Sequence, residues 1–264
     1  MKRLGTDPGR PEPALGCREV SILTLSLLCA GGIAAGFINT VAGGGSVITI
    51  PILVEAVGAN VANGSLRIGL LMQNLMGVAG YQRGRAVPWG LVARLAPATI
   101  VGALGGAWVA SQVSAGVLKR VFAVAVVLVA ASVVLAPGGW EPAERPRLRE
   151  PLRSLVFVAI GFYGGFVQAG VGFLFLAGLV PGVGLGLVKG NAAKVALILG
   201  YMPFALLLFA TADQVDWAAG LAVGVGSMIG AFTASHLAIT KGAAWIRWVL
   251  VAAAVAAAIR MLFF

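Results

Sequence analysis

The chain has 264 residues, of which 59% are hydrophobic and 11% charged, with a mean hydropathy of +0.98. Soluble domains carry about 25% charged residues, so this composition excludes an ordinary water-soluble globule. The formal net charge of +10 does not point to nucleic acid. The Lys and Arg residues cluster at the ends of apolar runs, where the positive-inside rule places them, rather than along one soluble face.

In chain order, residues 1–19 form a polar tail, and an apolar run from Val20 is read as the first membrane segment rather than as a signal peptide. Apolar runs then occupy roughly 20–57, 66–82, 88–112 and 117–136. A hydrophilic linker, 137–153, separates them from a second set at 154–183, 190–211, 216–239 and 244–264. The ordinary runs are close to the ~20 residues that span the hydrocarbon core as a helix. Most acidic residues lie in the gaps, with Glu55 the one beside a long apolar run, as the cost of a charge in hydrocarbon requires. Trp89, Trp108, Trp140, Trp217, Trp245 and Trp248 are read as interfacial anchors.

The first and fifth runs, 20–57 and 154–183, are too long for one crossing and too short for two. Each carries glycines at its middle: Gly43-Gly44-Gly45-Ser46 in one, Gly164-Gly165 and Gly170-Val171-Gly172 in the other. A helix break there exposes backbone polar groups, which a membrane tolerates only when they are buried in protein or line a cavity. The expectation is a pair of broken or re-entrant helices meeting near the midplane.

The chain also repeats itself. At an offset of 128, Asn63 meets Asn191, Trp89 meets Trp217, Gly102-Ala103 meet Gly230-Ala231, and Lys119 meets Arg247; an offset of 127 aligns Gly43 with Gly170 and Gly45 with Gly172. The expected fold class is therefore an all-α integral membrane protein of two tandem four-element helical repeats, 20–136 and 154–264. The loops after the second segment of each repeat differ in sign: Arg83 and Arg85 against Asp213 and Asp216. Basic loops face the cytoplasm, so an inverted arrangement is expected.

Broken helices point to a binding site, because the N-terminus of a half-helix presents free N–H groups and a partial positive charge. The candidate substrate-binding residues are Asn39, Thr40, Gly43, Gly44, Gly45, Ser46, Asn63, Ser65, Arg67, Gln168, Gly170, Gly172, Asn191 and Lys194. Ser46 could cap the half-helix that follows it. Bland readings stand beside each of these. The glycines could serve only close packing, Asn63 and Asn191 could cap helices, and Arg67 and Lys194 could snorkel to the interface. His236, the single histidine, reads as a helix–helix hydrogen-bonder. The sequence holds no Ser-His-Asp set, metal-ligand cluster, P-loop or dinucleotide fingerprint, so neither an enzyme nor a cofactor is expected.

At its two glycine motifs the sequence resembles the sulfite exporter TauE/SafE family. The residues are Gly36-Phe37-Ile38-Asn39-Thr40-Val41-Ala42-Gly43-Gly44-Gly45-Ser46 followed by Pro51 and Ala62-Asn63-Gly64-Ser65, then Gly161 to Phe173 followed by Pro181. The resemblance implies a multi-pass protein of the inner membrane that exports sulfite or small organosulfonates without ATP. Val171 interrupts the second motif, which in the family is often an unbroken glycine triplet, and nothing equivalent to Ser46 follows it. The expected partners are a small anion and the lipid bilayer, with a homo-oligomer left open. An anion channel, a carrier of another organic anion and a non-transporting scaffold remain as alternatives.

Overall fold

The structure is a computed structural model that describes residues 21–124 and 147–263. The polar tail, Cys17, Trp140 and most of the linker lie outside the described residues. Those that are described form helices joined by short turns. In order they are α1 (Ile22–Val41), α2 (Ser46–Val57), α3 (Ala59–Arg83), α4 (Trp89–Gln112) and α5 (from residue 115) in the first half. The second half has α6 (Leu152–Phe166), α7 (Val171–Ala177, extended by a π turn over Gly178–Gly182) and α8 (Leu187–Thr211). A last long helix divides at Gly242 (φ 70°, ψ −164°) into α9 (Trp217–Gly242) and α10 (from residue 243).

Among the described residues four helices are long and apolar enough to cross a membrane: α1, α4, α8 and α9. They leave a coat of exposed Leu, Ile and Val, among them Leu23, Val101, Leu207 and Ile229. In water this surface would be unfavourable, whereas in lipid it is the expected exterior. Trp89, Trp108 and Trp217 are about half exposed, as interfacial anchors are, but Trp245 packs edge-on against Phe37 inside the protein.

Two helices begin earlier than hydropathy predicts. Helix α3 starts at Ala59 and α8 at Leu187, so Asn63 and Asn191 lie one turn inside their helices rather than at the caps, which are Gly58 and Gly186. The polar side chains are absorbed because each finds an internal partner.

The predicted breaks fall at 42–45 and 167–170, and both are hairpins. Gly45 lies against Ala35, and Ile52 reaches back to Gly31, so α2 returns along α1. Val171 lies against Gly164, and Gly178 against Phe157 and Ile160, so α7 returns along α6. Each element is therefore a hairpin rather than a bent rod. At 20 residues α1 is longer than a half-helix, whereas α6, at 15 residues, and the returning arms α2 and α7 are short.

The two halves interlock. Helix α1 packs on α9 and α6 packs on α4, so the first helix of each half lies against the long fourth helix of the other; α3 and α8 pack together between them. Glycine stripes explain the closeness. Gly32 and Gly36 face the backbone of Val223 and Ser227, and Gly226 and Gly230 face that of Cys29 and Ile33. In the second pairing Gly102 and Gly106 face Val158 and Phe162, while Gly161 and Gly165 face Thr99 and Ala103. These are four small-x-x-x-small stripes in reciprocal contact. In lipid, where burial of apolar area drives nothing, such backbone-to-backbone packing is what holds helices together.

Candidate functional site

The hairpin tips are built alike. Helix α1 ends at Ala42 (φ −110°, ψ −35°) and α6 at Val167 (φ −111°, ψ −35°), and the next residue in each takes a positive φ: 94° at Gly43, 63° at Gln168. Backbone geometry thus pairs Gly43 with Gln168, not with Gly170 as the sequence offset suggests. A non-glycine residue held there costs about 1 kcal/mol or more. The Gln168 side chain is correspondingly engaged, its Oε1 accepting from Arg67 Nη1 (3.0 Å) and from the Tyr201 hydroxyl (3.1 Å).

The tips touch. A Cβ on Gly43 would lie 2.5 Å from the carbonyl carbon of Gly172, so these two glycines meet backbone to backbone. Gly44 lies under the Phe173 ring. Ser46 is the first residue of α2 and makes no cap bond to its own helix. Its hydroxyl instead accepts the Gly170 N–H from the other hairpin at 3.2 Å. The cap expected of Ser46 is thus a bond between the halves.

Behind the tips stand the two cations, and both are fully buried. Neither snorkels. Arg67 on α3 donates from Nη1 to Gly164 O (2.7 Å) and from Nη2 to Gly165 O (2.7 Å), with Asn63 Oδ1 (3.1 Å), Asn63 O (3.3 Å) and Gln168 Oε1 taking its remaining N–H groups. Asn63 Nδ2 adds a bond to Phe166 O at 3.0 Å. The three carbonyls that close α6, orphaned at any helix end, are all satisfied from α3. Lys194 on α8 does the same for α1. Its Nζ donates to Asn39 O (2.8 Å), Thr40 O (3.0 Å) and Asn191 Oδ1 (2.6 Å). Counting back from the matching caps, Asn39 and Thr40 correspond to Gly164 and Gly165. Each half therefore caps the other's hairpin with a cation. The Phe209 ring lies 5.0 Å from the guanidinium. The sole ion pair among the described residues is Arg153 with Glu150 at the start of α6. There the Ser154 hydroxyl, and then Arg153, hold the exposed Glu150 carboxyl below the usual carboxylate range. Among the described residues no carboxylate pairs with Arg67 or Lys194.

The sulfite exporter TauE/SafE profile matches residues 28–261. The chain belongs to the sulfite exporter TauE/SafE family. It is 30% identical to a probable membrane transporter protein of Sinorhizobium sp over 247 residues, 93% of this chain and 95% of that one. It is also 30% identical to the probable membrane transporter protein YfcA of Escherichia coli over 240 residues, 88% and 87% of the two chains. A probable membrane transporter protein of Haemophilus influenzae is 26% identical over 87% of this chain and 91% of its own. No solved structure matches. With its apolar helices, this TauE/SafE member is a multi-pass membrane transporter and not an enzyme.

Of the residues singled out from the sequence, Asn39, Thr40, Gly43, Gly44, Gly45, Ser46, Asn63, Arg67, Gln168, Gly170, Gly172, Asn191 and Lys194 all belong to the two tips or the capping clusters behind them. Gly45 packs on Ala35 and Asn39. Ser65 does not join them: its hydroxyl accepts the Asp216 N–H at 2.7 Å, pinning the turn before α9. Two buried members sat outside that set. Gln73 Oε1 accepts from Asn39 Nδ2 at 3.2 Å, and Tyr201 holds Gln168. They occupy equivalent places, since 73 and 201 differ by the repeat offset of 128, a signal the sequence carried. Asn74 beside them is buried and keeps its Oδ1 without a partner.

Proposed function

We propose that this TauE/SafE member is a secondary carrier of small anions, and that sulfite or organosulfonates are its substrates in a bacterial inner membrane. One observation carries the reading: two cations, Arg67 and Lys194, are buried with no acidic partner among the described residues. Carbonyl dipoles solvate these charges but do not neutralise them. In a medium of low effective dielectric, uncompensated positive charge attracts an anion far more strongly than it does in water. The cations supply the field, while backbone N–H groups at the hairpin tips, with the Ser46 hydroxyl and the Gln168 amide N–H groups, supply the contacts. The glycine contact at Gly43 and Gly172 closes the centre in this conformation, which favours a carrier over an open channel.

The reading includes an inverted repeat. Its support is the contact pattern, in which α1 on α9 is matched by α6 on α4, and α3 on α9 by α8 on α4. Among the described residues three helices follow each hairpin, an odd number, which would place the two halves in opposite orientations. The family name and the sulfonate-type resemblance support the substrate class. The test is flux into proteoliposomes over sulfite, sulfoacetate, sulfate, acetate and chloride. Saturable, voltage-sensitive uptake of the sulfur anions is expected. Uptake of none of them, or linear conductance without saturation, would reject the carrier reading.

A further inference from the structure

Helix C-termini and unwound carbonyls in broken-helix carriers are where coupling cations bind. The carbonyl end of a helix carries partial negative charge, and a ring of neutral oxygens can replace the hydration shell of a monovalent cation. This protein has two such cradles, the ends of α1 and α6, and both are occupied by its own side chains. At the end of α1 the three ammonium donors of Lys194 are taken by Asn39 O, Thr40 O and Asn191 Oδ1. At the end of α6 the Arg67 guanidinium spends all five of its N–H groups, two of them on Gly164 O and Gly165 O. The oxygens are all neutral, so neither cradle is an ion pair. Each is a cation site assembled from a helix end and amide side chains, and each is closed from solvent.

We propose that Lys194 and Arg67 are tethered cations that permanently fill the two helix-end cradles, so that transport by this protein requires no co-transported metal ion. The inference rests on the carrier reading for its consequence, but the cradles themselves can be tested without any flux. A free coupling ion must leave in each cycle. A tethered one stays, keeps the hairpin tips electropositive in every state, and makes anion movement an electrogenic uniport or an exchange. The two halves use different side chains for one task. The spacing to the asparagine differs accordingly, four residues from Asn63 to Arg67 and three from Asn191 to Lys194.

The test is chemical rescue in the full-length protein. Lys194→Ala removes three methylenes and the ammonium, the outline of n-propylammonium; Arg67→Ala leaves the outline of ethylguanidinium. Each variant should lose thermal stability in detergent. Each should regain it saturably with its matched cation, but not with choline at equal ionic strength, which has no N–H to donate. Lys194→Met, whose side chain refills the space, should gain nothing. A folded variant that responds equally to choline, or to neither cation, overturns the proposal. If both alanine variants fail to fold, the unaltered protein decides. Its Tm and its anion flux should be unchanged when Na+ and K+ are replaced by N-methylglucamine, and a saturable dependence on either metal ion in either readout overturns the proposal. Rescue without flux of any anion would instead sink the carrier reading and leave the cradles standing.

Discussion

Gly172→Ala is a severe test of the hairpin contact, because one methyl group must enter where backbone already lies. The added Cβ would sit 2.8 Å from Gly43 O and 3.0 Å from Gly43 C, with Gly43 Cα nearer still. None of these atoms is on a side chain that could rotate away. Ordinary contact would require the tips to part by roughly 1 Å, and overpacking of this kind costs about 1–3 kcal/mol. The Gly170–Ser46 bond at 3.2 Å spans the same contact, and its loss adds about 0.5–1.5 kcal/mol. At roughly 2–4 °C per kcal/mol for a chain of this size, the expected fall in Tm is about 3–18 °C. Gly200→Ala is the internal control. Gly200 lies within α8 with nothing near its would-be Cβ, so alanine should stabilise by about 0.4–1 kcal/mol. Scanning fluorimetry of the detergent-purified variants measures both. Equal stability of Gly172→Ala and the unaltered protein would refute the tip-to-tip contact.

Arg67→Met leaves Gly164 O, Gly165 O and Asn63 Oδ1 without donors, at about 1–3 kcal/mol for each unmet group; a Tm within a degree of the parent would contradict the capping role. At position 168 the positive φ predicts an order: Gln168→Gly should be more stable than Gln168→Ala by about 1 kcal/mol, since both lose the bond to Arg67 and only glycine relieves the backbone. Gly36→Val and Gly165→Val should each destabilise by at least about 2 kcal/mol, whereas Gly105→Ala, which meets the Phe162 ring at 3.7 Å, should be close to neutral by the same assay. For the proposed inversion, single cysteines at 84 and 213 should be labelled by an impermeant maleimide from opposite sides of the membrane. Labelling from one side would remove the inverted arrangement.

Much of this architecture was legible because membrane insertion constrains a sequence so strongly. Overlong runs with central glycines gave the two breaks at 42–45 and 167–170, and the offset of 128 reappears in the boundaries of α3 and α8. Three things were not legible. Helix α3 begins before its apolar run because Asn63 and Ser65 have partners 103 and 151 residues away, and no local pattern reports those. Gln168 takes the place of Gly43 because a side-chain bond supports a backbone conformation that glycine adopts freely, so matching glycines to glycines misplaces the tip. Arg67 and Lys194 were recognisable as unusual charges, but their targets are main-chain carbonyls, which carry no mark in a sequence. The interface position that snorkelling would have required is excluded by their burial.

The exchange of caps between halves also bears on how the chain reaches this state. An isolated first half would hold Arg67 in the bilayer without Gly164, Gly165 or Gln168 to receive its N–H groups. A bare charge at that depth costs about 2.5–3.5 kcal/mol by insertion scales. The same half would leave the Asn39 and Thr40 carbonyls without Lys194, at about 1–3 kcal/mol for each unmet group. Its glycine stripe on α1 would have no α9 to meet, since the partner stripe belongs to the second half. These deficits point one way, and the second half suffers them in mirror form. Neither half should therefore be stable alone, although each has enough apolar helix to insert. Severing the chain between residues 137 and 146 tests this directly, because that hydrophilic stretch joins the halves. Each fragment expressed singly should be degraded, whereas the two co-expressed should co-purify and regain the Tm of the intact chain. A first-half fragment that accumulates by itself and unfolds cooperatively would show that the cation caps are dispensable to the fold.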